Sequence, residues 1–378
     1  MTRPPATGVY VHLPFCPYIC PYCDFAKWAW DGVRAARYLD ALRADLASAP
    51  AVEARTLFFG GGTPTTYAPD AIAALIGDVR ARFALPRDAE VTTEANPDPS
   101  LAGRLAGLHD AGVNRLSIGV QSFDARELRV LGRRHTAADV ATAVRAARAA
   151  GFANVSVDLI FGVPGQTEES WAASLDAAVA LEVEHVSCYG LTIEEGTPYA
   201  AWFARDPSAF AGDTLEARMY AIAIDRLRVA GFAHYEISNW AKPGFRSRHN
   251  AIYWANDPYL GLGVGAASYL GGVRSTHTRD LDAYCEAALA AAPIPGESER
   301  LEGAKRAGEA IMLALRTAEG VDLAAFRERY GIDVHQRYRS VVDDLVAAGV
   351  LAAEPARMRL TERGRFVAND VCGAFLAD

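Results

Sequence analysis

The sequence predicts an α/β fold: an incomplete (β/α)6-type barrel followed by a smaller C-terminal helical, winged-helix-like domain. Three observations carry this expectation. Short β-rich runs alternate with amphipathic helices through the first two hundred residues, the pattern of a parallel sheet wrapped by helices. Polar or glycine-rich residues recur at or near the C-terminal ends of six successive strand candidates, where α/β barrels build their sites. From about residue 298 the texture changes to charged helices followed by a short strand pair.

The strand candidates are 8–15, 55–60, 90–95, 115–121, 154–162 and 185–192, and helical stretches lie near 34–49, 69–83, 100–111, 136–150 and 168–182. Gly112 and Gly151 follow the last apolar turns of two of these helices, as helix stops do. Alternation alone fits an open doubly wound sheet equally well; the residues at the strand ends favour the barrel. Residues 1–200 form this unit. Residues 201–297 form a less regular extension, with a helix near 212–230, the run Tyr235–Trp240, the run Arg248–Trp254 and the glycine-rich Leu260–Gly272. Residues 298–378 carry helices at 300–316, 322–330 and 336–348, strands at 350–352 and 357–360, and a last helix opened by Thr361-Glu-Arg-Gly364. DNA binding is the usual function of that shape, but the acidic balance favours a packing domain.

The chain has 378 residues, 51% apolar and 22% charged, with a net charge of −8, which describes an ordinary globular protein. The negative balance argues against broad nucleic-acid binding. Residues 1–7 carry no apolar run, so no signal peptide is expected. No stretch approaches ~18 uninterrupted apolar residues, so no membrane span is expected. Three of the six cysteines crowd into eight residues, whereas Cys188, Cys285 and Cys372 lie far apart. That placement reads as metal ligands in a reducing compartment rather than disulfides, and points to the cytoplasm. The remote three read as small buried hydrophobes, with Cys188 on a strand from which it could face a site.

Cys16, Cys20 and Cys23 follow the first strand at C-x3-C-x2-C spacing. A closed zinc or iron–sulfur site wants four protein ligands. A four-iron cluster on three cysteines leaves one iron open. The competing reading is a zinc site with His12 as fourth ligand, but a zinc loop would not need the polar strand ends behind it. Gly60-Gly-Gly-Thr-Pro64 follows the second strand, Glu94 closes the third, Gln121 the fourth and Thr192 the sixth, and Asp158 lies on the fifth.

This spacing, with Tyr10 six residues ahead of Cys16, resembles the radical S-adenosylmethionine (SAM) superfamily, and within it the group containing oxygen-independent coproporphyrinogen III oxidase. The similarity continues through Gly60–Pro64, Thr93–Pro97, Ser117–Phe123, Arg133 and Asp158–Thr167. The resemblance implies a 4Fe-4S cluster on the three cysteines, with SAM chelating the open iron; the cofactor carries the hard chemistry. It implies that Tyr10 and Tyr22 flank the cluster and contact SAM. Backbone groups of Gly61, Gly62 and Thr63 would hold its methionine part, Glu94 a ribose or amino group, and Gln121, Arg133, Asp158 and Thr192 the remaining polar shell. Taken singly, Glu94 or Arg133 would read as an ordinary salt-bridge partner.

Two departures from the oxidase pattern matter. Phe25 stands where the oxidase has a fourth cysteine, and only nine residues precede Tyr10 where the oxidase has an arm. His249-Asn-Ala-Ile-Tyr253-Trp254 matches the HNxxYW motif of HemW-type haem chaperones. That resemblance implies haem as cargo, with His249 as a candidate axial ligand and Tyr253 and Trp254 as flat apolar contacts for the porphyrin. The local sequence alone reads His249 as a helix cap and the two aromatics as core. Glu194 and Glu195 read as a solvated loop. The expectation is a haem carrier, with no residue assigned a catalytic role, that hands haem to acceptor proteins such as respiratory enzymes; a homodimer is compatible with it. The alternative is radical decarboxylation of coproporphyrinogen III to protoporphyrinogen IX.

Overall fold

The computed structural model describes residues 7–376. Its centre is six parallel strands: β1 (Thr7–Leu13), β2 (Ala54–Gly61), β3 (Glu90–Ala95), β4 (Arg115–Gln121), β5 (Val155–Phe161) and β6 (His185–Gly190). They are hydrogen-bonded in sequence order, with Tyr10 opposite Phe58, Glu94 opposite Ser117, and Asp158 opposite Gly119 and Ser187. Right-handed crossovers between strands that never reverse order place the connecting helices on one face. This excludes the doubly wound sheet, whose order must reverse. The result is an incomplete barrel with helices outside and an inner face left to build a cavity.

Those helices are α1 (Gly32–Ser48), α2 (Pro69–Phe83), α3 (Leu105–Asp110), α4 (Ala125–Val130), α5 (Ala137–Ala149) and α6 (Glu168–Ala180). Asp31 caps α1 by accepting from the Val33 and Arg34 amides, and Thr136 and Thr167 open α5 and α6 with reciprocal capping boxes. The helix expected from residue 100 starts only at Leu105, because Asp98 takes the Ser100 amide in a local turn. Helix α4, too short for a periodic signal, was not anticipated.

Strand alternation sorts the side chains. Val9, Val11, Leu57, Phe59, Leu116, Ile118, Val155, Val157, Val186 and Cys188 are shut into the core beneath the helices. Cys188 therefore packs away from the cavity. Phe58, Glu94, Arg115, Ser117, Asp158, Ser187 and Tyr189 take the other face and line it.

The strand Tyr259–Leu262 pairs parallel to β1, and Ala267–Leu270, Val273–His277 and Gly296–Arg300 follow antiparallel. On the opposite side Asn239–Ala241 pairs antiparallel with β6 and Ala233–Glu236 pairs antiparallel with Asn239–Ala241, completing twelve strands. Two further helices, α7 (Pro198–Arg205) and α8 (Asp213–Val229), follow β6. Helix α9 (Arg248–Trp254), capped by Ser247, plugs the end of the barrel where the strands begin. Glu90, the first residue of β3, accepts the Arg248 and His249 amides at 3.0 and 2.8 Å, and Phe58 packs on the His249 ring.

A second hydrophobic core gathers residues from Ala307 to Phe375. Helices Gly303–Leu315, Leu323–Tyr330 and Arg339–Ala347 pack with a small antiparallel sheet in the order Val321–Asp322, Arg357–Leu360, Leu351–Ala353. The helix expected over 336–348 is broken at Tyr338, whose buried ring turns its hydroxyl to the Ala304 carbonyl at 3.0 Å. Arg274 on the large sheet pairs with the buried Glu309 of this domain. Among the described residues no helix is long and apolar enough to cross a membrane.

Candidate functional site

The strand ends and the cysteine loop enclose one cavity of about 490 Å³, within the range of small-molecule and cofactor sites and open at its mouth to Tyr189 and Thr192. Cys16, Cys20, Cys23, Tyr22, Gly61, Gly62, Thr63, Glu94, Gln121, Arg133, Asp158 and Thr192 all line it. Tyr10 does not: it stacks behind Phe58 and joins its hydroxyl to His12 Nδ1 at 3.0 Å.

The loop is held at its base. Phe15–Cys16 pairs with Trp28–Ala29, the Trp30 amide donates to the Cys16 carbonyl at 2.8 Å, and His12 Nε2 meets the Ala26 carbonyl at 2.7 Å. Lys27 caps the Cys23 and Phe25 carbonyls from within. The Gly62 and Thr63 amides donate to Leu13 and Phe15, and the Gly61 amide to Glu94 Oε2 at 3.2 Å. These amides are therefore spent, and the backbone here offers a ligand acceptors rather than donors.

One polar chain links two of the thiols. Thr63 hydrogen-bonds Cys16 and accepts from Asn96 at 3.0 Å; Asn96 in turn accepts from Arg133 at 2.7 Å. The Arg133 guanidinium also donates to the Gly119 carbonyl at 2.5 Å and stands 3.6 Å from Cys20 Sγ. Gln121 ends β4 at φ 67°, a strained conformation for a residue with a side chain, which turns it toward the cavity.

Burial pushes Cys16 up to about 11 and raises Cys23, so a metal must displace their protons on binding. Burial, and then the Asp158 charge, push Glu94 up to about 8. Burial also raises Asp158, against hydrogen bonds from Ser187 and Ser117. Both His12 ring nitrogens are engaged, which removes it as a fourth zinc ligand. Among the described residues no three or more His, Cys, Asp or Glu side chains gather round one point as ligands of a single ion would. Three thiols spread along one cavity wall fit a group of several irons instead.

The expectation of a free imidazole at His249 is not met. The residue is 1% exposed, with Nδ1 on the Thr56 hydroxyl at 2.7 Å and Nε2 on the Tyr253 hydroxyl at 2.9 Å. Tyr253 packs on Tyr259, and Trp254 lies under the Arg316 guanidinium, so neither lines the cavity. Their spacing is that of a helix packed into a barrel end, and the member that reaches the cavity is Asn250. Glu194, read as part of a solvated loop, also lines it. Tyr18, Phe58, Asn96, Arg115 and Tyr189 are among the further lining residues that the sequence did not single out. For Arg115 and Tyr189 the available signal was their two-residue spacing from Ser117 and Ser187.

Comparison with known proteins agrees with this architecture. The radical SAM superfamily model matches residues 10–178, and the HemN C-terminal domain model matches residues 301–367. The chain is 36% identical to the heme chaperone HemW of Bacillus subtilis, over 98% of this chain and 99% of that one. It is 38% identical to the heme chaperone HemW of Mycobacterium tuberculosis, over 98% and 94%. The solved structure of coproporphyrinogen III oxidase (HemN) from Escherichia coli, a radical SAM enzyme, superposes with a TM-score of 0.86 at 22% identity, covering 98% of this chain and 90% of that one. At that identity the likeness speaks for the fold. With near-complete coverage on both sides, the chain belongs to the HemW family of the radical SAM superfamily.

Proposed function

We propose that this chain is a haem carrier: it binds haem, holds one 4Fe-4S cluster and SAM in the barrel cavity, and passes haem to acceptor proteins. The observation that carries the reading is the match, over nearly the whole chain, to relatives named heme chaperones. Cys16, Cys20 and Cys23 would hold the cluster, and Phe25, which lines the cavity 59% exposed, leaves them no neighbouring fourth thiolate. A cluster so held supplies single electrons to a bound sulfonium. The chain's own residues do the rest. Arg133 sets a positive charge beside Cys20, acceptor groups along Gly61–Thr63 suit an ammonium, and Glu94 and Asp158 bring two carboxyl groups to the same space. Tyr22, Gln121 and Thr192 complete the polar shell for SAM. Cytoplasmic residence, respiratory enzymes as acceptors and a homodimer belong to the same proposal, as does the division into 1–200, 201–297 and 298–378.

The test is anaerobic reconstitution of the cluster, followed by haem titration and an oxidase assay with coproporphyrinogen, SAM and reductant in parallel. Stoichiometric haem binding without decarboxylation is expected. Formation of the vinyl product would replace the carrier with an oxidase.

A further inference from the structure

Arg115 is a buried cation that makes no direct ion pair among the described residues. It opens β4, is 2% exposed, and lines the cavity, and its Nε has no hydrogen-bond partner. Shutting an unpaired guanidinium away from bulk water is unfavourable, and an incoming anion offsets that cost. The carboxyl groups that share the cavity, Glu94 and Asp158, feel the Arg115 charge, but among the described residues neither forms a hydrogen bond or ion pair with it, and burial favours the neutral form of both.

Position separates this charge from the cluster end. Arg115 and Gln121 are the two ends of β4, six residues and therefore roughly 20 Å apart. The cysteine loop, Gly61–Thr63, Gln121 and Arg133 lie where the strands finish; Arg115 lies where they begin, over the α9 plug. Asn250 of that plug lines the cavity, and its side-chain amide has no partner among the described residues. His185, alongside, is already held by Ser156 and Tyr235 at 2.7 and 2.8 Å. Above them Tyr189, 41% exposed, and Ile160 supply ring and aliphatic surface on the β5–β6 side of the same cavity.

We propose that Arg115 and Asn250 form an anion subsite that takes a carboxylate at the far edge of the cargo, with the body of the cargo along Tyr189 and Ile160. Resting on the haem reading, that carboxylate is a haem propionate. A guanidinium is suited to the task because its planar fork meets a carboxylate with two parallel hydrogen bonds.

The experiment compares haem with its dimethyl ester, which lacks the charge, on the cluster-reconstituted chain with and without SAM. Wild type should prefer haem by about 10-fold or more, the range of a charged hydrogen bond. Arg115→Gln should bind the two alike, at the affinity wild type shows for the ester, with SAM affinity unchanged. An unchanged preference in Arg115→Gln would overturn the subsite, as would a loss confined to SAM, which would give the arginine to the cofactor's carboxylate instead. Should Arg115→Gln not fold, Arg115→Lys decides, since it keeps the charge and loses the fork. The preference should narrow several-fold in it, and an unaltered preference would overturn the proposal. Wild type that binds neither compound would overturn the haem reading, and with it the assignment of the anion to a propionate.

Discussion

Gly61 and His12 compete for one space. A Cβ placed on Gly61 would lie 2.2 Å from the His12 ring, and the backbone there has φ 103°. The ring is fixed in turn by Tyr10 on one nitrogen and the Ala26 carbonyl on the other. The glycine segment and the base of the cysteine loop are thus set by a single imidazole.

Gly61→Ala should therefore destabilise the chain by about 2–4 kcal/mol, combining left-handed strain with an unrelieved overlap. It should also lower cluster occupancy, because His12 can yield only by releasing Ala26. Urea unfolding and iron content measure the two effects. A variant with an unchanged midpoint would mean that the ring moves freely and braces nothing.

The Arg133 guanidinium sets a positive charge 3.6 Å from Cys20 Sγ, one of the three sulfurs that would hold the cluster. Arg133→Gln should leave iron content near wild type but make the reconstituted cluster harder to reduce, since one nearby positive charge is gone. Arg133→Lys should fall between. The fraction reduced by a fixed excess of dithionite, read by electron paramagnetic resonance, checks this. Equal fractions in all three proteins would confine Arg133 to holding Asn96 and the Gly119 carbonyl.

Glu94 predicts a pH effect in the cofactor-free chain. Its carboxyl titrates at about 8 when folded against an ordinary value of 4.5. Below pH 4.5 both states keep the proton and nothing is lost. Between 4.5 and 8 the unfolded chain releases a proton that the folded chain retains, so stability falls as pH rises. Glu94→Gln removes the penalty. It should be neutral near pH 4.5 and stabilising by about 1 kcal/mol at pH 8, the water-accessible cavity moderating a larger nominal shift. Denaturation at both pH values decides, and a benefit largest at the acid end would contradict the assignment.

Much of this was legible in the sequence, for reasons that also explain the failures. Apolar residues at two-residue spacing located every barrel strand to within about two residues, because burial beneath helices leaves few other patterns. The site residues at the strand ends were legible because they depend on local motifs. Alternation by itself left the strand order open between a barrel and a doubly wound sheet; the polar strand ends pointed to the barrel, and the hydrogen-bonded order agrees. At His249 the family resemblance, not the local sequence, pointed to haem: locally the run reads as a capping histidine with core aromatics. In the structure these side chains pack into the barrel floor, the imidazole on Thr56, while the His249 backbone amide meets Glu90. Which partner they meet is decided by residues some two hundred positions away. Arg115 was invisible as a site because an arginine at a strand start ordinarily reaches solvent, and here the α9 plug shuts it in.

The His249 brace makes the last prediction. His249→Ala would leave the Thr56 and Tyr253 hydroxyls without their partner and open space between Gly8 and Phe58, at a cost of about 3 kcal/mol. Haem binding should weaken together with this loss, since the floor that carries Asn250 would loosen. The pH dependence distinguishes a brace from a ligand. Burial holds the folded imidazole down at about 3 against an ordinary 6.5. As pH falls below 6.5 the unfolded chain takes up a proton that the folded chain refuses, so wild type loses stability from 6.5 down to about 3. His249→Ala and His249→Gln should both show a shallower acid loss, and glutamine, which can still bond a hydroxyl, should recover part of the stability. A His249→Ala protein with wild-type melting temperature and a displaced Soret band would return this histidine to the iron.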